Sequence, residues 1–94
     1  MKKVYVASIC KNGILGGGLY IDKEKITYRT GKITVPARLR NLELYLNDIK
    51  SMEKARALGF PAVIIRMKNG ENWKFIIFAR QHFLKTVSLH EVDN

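Results

Sequence analysis

The chain has 94 residues, enough for one domain with one core and one binding surface. Hydrophobic residues make up 47% and charged residues 27%, which excludes a disordered chain. Seventeen Lys and Arg against eight Asp and Glu give a net charge of +9, which points towards acidic partners, with a merely solvated basic surface as the plainer alternative.

Val4 to Lys11 is rich in β-branched and aromatic residues and reads as a strand. Leu19-Tyr20-Ile21 and Ile26-Thr27-Tyr28-Arg29-Thr30 flank the polar turn Asp22-Lys23-Glu24-Lys25. Leu19 and Ile21 alternate with Tyr20, and Ile26 and Tyr28 with Thr27 and Arg29, so the segment predicts a hairpin. Arg38 to Ile49 fits two periods. Leu39, Leu42, Leu46 and Ile49 have helical spacing, whereas Leu42, Leu44 and Leu46 alternate as in a strand. A strand is favoured, because Glu43, Tyr45 and Asn47 then share the other face. Ser51 to Leu58 is undecided by pattern.

Ala62 to Phe78 predicts a second hairpin. A two-residue Asn69-Gly70 loop would set Arg66 opposite Trp73 and mix charge with apolar side chains on both faces. A three-residue loop, Lys68-Asn69-Gly70, with Gly70 left-handed in a bulge, puts Val63, Ile65 and Met67 on one face with Trp73, Phe75 and Ile77. The buried face sets the register, so the bulged loop is expected. Phe83, Leu84 and Val87 then mark a helix starting near Ala79 or Arg80 and fraying around His90. The sum is a β-rich α+β domain spanning 1–94: a small barrel or sandwich of about seven strands, capped by one C-terminal helix.

The order of hydrophobic positions and turns resembles a known family. Gly18 to Tyr28 resembles the opening hairpin of GRAM-like domains, a branch of the pleckstrin-homology superfold that includes bacterial pleckstrin-homology-like domains. Leu44 through Asp48-Ile49 resembles their fourth strand, and Ser51 to Lys54 with Leu58-Gly59-Phe60 the next strand and turn. Asn69-Gly70, Trp73-Lys74-Phe75 and Phe83-Leu84 resemble the last hairpin and helix. The resemblance covers roughly residues 14 to 88. It implies two nearly orthogonal sheets plugged by the helix, with lipid-headgroup or protein binding and no catalysis.

Reactive constellations are missing from the sequence. Gly16-Gly17-Gly18 lacks the G-x-G-x-x-G of a dinucleotide site and the Gly-Lys-Ser/Thr of a P-loop, and reads as a turn or bulge before a strand. His82, His90 and the single thiol, Cys10, are too few and too scattered to hold a metal, and no cofactor is expected. Cys10 reads as a small core residue. Ser8, Ser51 and Ser88 have no general base at a suitable spacing. Asp48 and Glu53 carry no acid/base signature, and Asp48 reads as a hydrogen-bond acceptor at a turn. No catalytic residue is assigned, and an enzyme is not expected. One cysteine, and an N-terminal apolar run broken at Ser8 and Lys11, make the cytoplasm the expected location.

Trp73, Phe75 and Phe78 could stack single-stranded bases beside Arg66 and Lys74, but two of them share a face with Val63, Ile65 and Met67, as core residues do. The better candidate surface is basic. Arg66, Lys68 and Lys74 share a hairpin face with Ile64 and Ile76 near, and Lys23, Lys25 and Arg29 extend from the first hairpin. This pattern suits a binding module for an anionic membrane surface or an acidic protein partner. A small nucleic-acid-binding protein is the alternative, although no helix-turn-helix, RNA-recognition or zinc-finger signature is present. A homo-oligomer stays open, because edge strands need cover.

Overall fold

A computed structural model describes residues 3–10, 13–30 and 41–92 of the chain. Alternating apolar residues form seven strands: β1 (Lys3–Cys10), β2 (Ile14–Ile21), β3 (Lys25–Arg29), β4 (Asn41–Tyr45), β5 (Ile49–Ala57), β6 (Phe60–Met67) and β7 (Asn72–Ile77). A short 3-10 turn, Leu46–Asp48, joins β4 to β5, and one helix, α1 (Arg80–Val92), follows β7. Each neighbouring pair is antiparallel, in the order β4-β3-β2-β1-β7-β6-β5. Two meanders are therefore sewn together by β1 and β7. The result is a curled half-barrel with β4 and β5 at its edges and α1 against its open side.

Period-two burial fixes the inner wall. Tyr5, Ala7 and Ile9 of β1 face the core with Leu19 and Ile21 of β2, Ile26 and Tyr28 of β3, and Leu44 of β4. Val63, Ile65 and Met67 of β6 meet Trp73, Phe75 and Ile77 of β7. Trp73 and Phe75 are thus core residues, as their shared face predicts. Phe83 and Val87 bring α1 into the same cluster. Leu84, Val87 and Ser88 share a groove with Ile49 to Met52, so the helix runs beside the β5 edge. The Tyr5 hydroxyl lies 2.7 Å from both Thr86 Oγ1 and His82 Nδ1, tying β1 to the first turns of α1.

The second hairpin has the expected bulged loop. Ile65 pairs with Trp73 and Arg66 with Asn72. The Met67 N–H donates to Glu71 O at 2.8 Å, and Gly70 has φ +96°. The first hairpin also follows its alternation, with Ile21 paired to Ile26 and Tyr28 to Leu19. Its turn is held by Asp22, whose carboxylate accepts from the N–H groups of Glu24 and Lys25.

Two expectations are corrected. Gly16-Gly17-Gly18 forms no turn or bulge: it lies inside β2, paired with Ser8, Ala7 and Val6. The reason is steric. A Cβ on Gly17 would sit 2.3 Å from Arg29 O and 2.9 Å from the Tyr28 ring. Tyr28 fills that space, and its hydroxyl donates to Leu15 O at 2.7 Å. Next, the strand expected over Arg38 to Ile49 stops at Tyr45, where Leu46–Asp48 form a 3-10 turn whose Leu46 N–H donates to Glu24 O. Leu46 is buried all the same. Asp48 accepts a backbone hydrogen bond at this turn through its own carbonyl, from the Lys68 N–H. The undecided segment Ser51–Leu58 is mostly strand β5. Arg38, Leu39 and Lys11 lie outside the described residues.

Candidate binding surface

The six cations singled out by sequence do not converge on one patch. Lys25 and Arg29 point outward from β3, while Arg66 and Lys74 point outward from β6 and β7. In the sheet, β2, β1 and β7 stand between β3 and β6. Lys23 and Lys68 sit exposed in the β2–β3 and β6–β7 turns.

Three of the six are engaged within the chain. Lys25 pairs with the Glu43 carboxylate, whose hydrogen bond raises the lysine above its ordinary value. Arg29 Nε donates to Asn41 Oδ1 at 3.0 Å, and its guanidinium lies 5.7 Å from the Tyr20 ring centre. Arg66 grips Glu53 in a two-pronged contact, through Nε at 2.9 Å and Nη2 at 3.2 Å. That contact holds Glu53 below the usual carboxylate value and raises Arg66. Lys74 is half-buried, paired across from Ile64.

The turns bearing Lys23 and Lys68 are both tied to the 3-10 turn, by the bonds Leu46 N–H to Glu24 O (2.9 Å) and Lys68 N–H to Asp48 O (2.8 Å). This gathers acids as well as bases. Asp22, Glu24, Glu43, Asp48 and Glu71 all lie around it, and Glu43, Asp48 and Glu71 share one groove of about 460 Å³ with Lys68. Five carboxylates there face five lysines, since Lys3 pairs with Ile21 beside the Asp22 turn and Lys50 follows the 3-10 turn alongside Lys23, Lys25 and Lys68, so this end of the barrel is balanced in charge among the described residues.

The opposite end carries cations without carboxylates. Strand β6 runs from the β6–β7 turn back to the β5–β6 turn, where Leu58 and Gly59 join Ala57 to Phe60. Lys54, Arg56 and Arg80 gather here. Neither 54–61 nor 74–88 contains an Asp or Glu. Arg80 Nη1 donates to Ala55 O at 2.8 Å and lies 3.5 Å from Ala62 O, fastening the start of α1 to the β5–β6 hairpin without neutralising its charge. Lys54, Arg80 and His82 line a shallow groove of about 240 Å³ with Phe78. Among these cations also stand Leu58, Phe60 and Phe78, all exposed.

Lys54, Arg56 and Arg80 were not reached from the sequence. The acid-free stretches that carry them are visible in it, but only the topology brings the two stretches to one end.

No protein-family model matches the chain, and no curated protein matches it. Its fold has a solved counterpart. It is similar to the crystal structure of the C-terminal domain of an unknown protein from Leishmania infantum, with a TM-score of 0.76 and 10% identity over 94% of this chain and 80% of that one. Likeness at that identity concerns the fold alone. Among the described residues, no helix is long and apolar enough to cross a membrane, and no group of three His, Cys, Asp or Glu side chains could hold a metal ion.

Proposed function

We propose that this chain is a small, non-catalytic binding module of the GRAM-like, pleckstrin-homology-like kind, acting in the cytoplasm without a cofactor. Its target is an anionic membrane surface, and it docks by the end that carries Lys54, Arg56 and Arg80. The single observation behind this reading is the separation of charge. Five of the eight acids crowd the 3-10 turn, while the β5–β6 turn and the start of α1 carry cations and no carboxylate.

The physical consequence is orientation. A net charge of +9 draws the domain towards a negative leaflet from within about a Debye length. The end at the 3-10 turn, where carboxylates offset the lysines, gains little from that leaflet, and the opposite end is attracted. Each cation near the surface adds to the attraction, and high salt weakens it. Nucleic acid has less support, since Trp73 and Phe75, two of the three aromatics that could stack bases, are buried in the core and only Phe78 of the three is exposed.

Co-sedimentation with vesicles of graded phosphatidylserine content tests the reading. Binding should rise with anionic lipid and weaken with salt. Equal, weak association with neutral and anionic vesicles would overturn it, and retention on nucleic acid in place of vesicles would favour the alternative.

A further inference from the structure

We infer that Leu58, Phe60 and Phe78 form an apolar wedge that enters the acyl boundary of an anionic bilayer. This rests on the membrane reading above and adds its second half, penetration.

The three side chains lie together at the barrel end. Ala57 pairs with Phe60, so Leu58 and Gly59 alone form the tip of the β5–β6 hairpin. Phe60 and Phe78 pack edge-to-face at 5.4 Å on neighbouring strands. Leu58 is 79% exposed, Phe78 63% and Phe60 46%. Val6, 77% exposed, is the next residue along β1 from the Ala7–Ile77 pair, as Phe78 is along β7, so the exposed apolar row continues onto β1.

The tip is built in spite of a conformational cost. Leu58 has φ +52° and Gly59 φ +82°, the primed geometry of a two-residue hairpin. Gly, Asn or Asp suits the first position far better than leucine. A leucine held left-handed at a tip, and left in water, gains nothing from the fold.

The cations decide the occupant. Lys54 and Arg56 are exposed on β5 just before the tip, and Arg80 stands just after Phe78. An apolar tip ringed by positive charge matches an interface whose headgroups are negative and whose interior is hydrocarbon. A second copy would bring the same three cations against one another.

The test uses the full chain as a Phe60→Trp variant with vesicles containing phosphatidylserine, some carrying bromine on the acyl chains. The buried Trp73 of the unaltered chain gives the background. The inference expects a blue-shifted emission on binding and quenching by shallow acyl bromines. A Leu58→Ser, Phe60→Ser, Phe78→Ser variant should fold, since all three side chains are exposed, and circular dichroism checks that. It should lose about tenfold or more in vesicle affinity at physiological salt while keeping weak binding at low salt. Anionic-vesicle binding without blue shift or quenching, and unchanged in the serine variant, would overturn the wedge and leave the electrostatic reading standing. No vesicle binding by the unaltered chain would overturn both. Specific capture of an acidic protein, lost in the serine variant and with no vesicle binding, would reassign the patch to a protein interface.

Discussion

At the scale of single residues, small differences in environment make opposite predictions for neighbouring glycines. A methyl group on Gly17 would meet the Arg29 carbonyl at 2.3 Å, so Gly17→Ala should cost about 1–3 kcal/mol, the usual range for overpacking. The same change at Gly16 meets Ser8 Oγ at 3.9 Å, an ordinary contact, and should be neutral or slightly stabilising. Paired urea denaturation curves check both. Equal effects would remove the steric account of Tyr28 lying across β2. The Glu53–Arg66 contact makes a pH prediction. Arg66 lowers the folded-state value of Glu53 below its ordinary 4.5. The contact therefore stabilises the fold above that ordinary value and is lost as pH falls through the lowered one. Both groups are exposed, so Glu53→Gln should destabilise slightly at neutral pH, less in high salt, and progressively less as pH falls through the lowered value. Denaturation midpoints followed from neutral to acidic pH measure this directly.

At the scale of elements, the hairpins were the most legible part of the sequence. In the β6–β7 hairpin, only one loop length keeps Ile65 with Trp73 and Arg66 off the core face, and that loop is the one found. The glycine triplet misled for a definite reason. Glycine signals a turn by its freedom of φ, but Gly17 serves β2 by its lack of a Cβ, and the partner that needs the space, Tyr28, is eleven residues away in sequence. Strand β5 was illegible because it is an edge strand. Lys54 pairs with Val63, on the core side of the register, yet is exposed, so the alternation is broken. The 3-10 turn depends on a carbonyl from another hairpin, that of Glu24, which no local pattern announces. The helix was placed by Phe83 and Val87, but its link to β1 spans most of the chain. The Tyr5 hydroxyl bonds at 2.7 Å to Thr86, and both groups are buried. Tyr5→Phe should therefore cost about 1–2 kcal/mol by leaving Thr86 less well satisfied. It should also speed amide exchange in the first turns of α1 more than in β6. Uniform exchange across the molecule would show that the bond does not hold the helix.

At the scale of the whole molecule, the net charge was readable from composition but its arrangement was not. The six cations chosen along the sequence scatter over two walls and two turns, and three of them are engaged by Glu43, Asn41 and Glu53. What the fold adds is polarity, a charge-balanced end at the 3-10 turn and a basic, apolar-tipped end at the β5–β6 turn. That polarity is the basis of the membrane account, and paired charge reversal tests it. Lys54→Glu with Arg56→Glu alters the proposed contact end, and Lys23→Glu with Lys68→Glu alters the charge-balanced end, each by the same formal charge. Vesicle co-sedimentation at fixed salt should show the first pair losing about tenfold or more in affinity and the second losing several-fold less. Equal losses from both pairs would show that only the total charge matters, and would contradict an oriented surface.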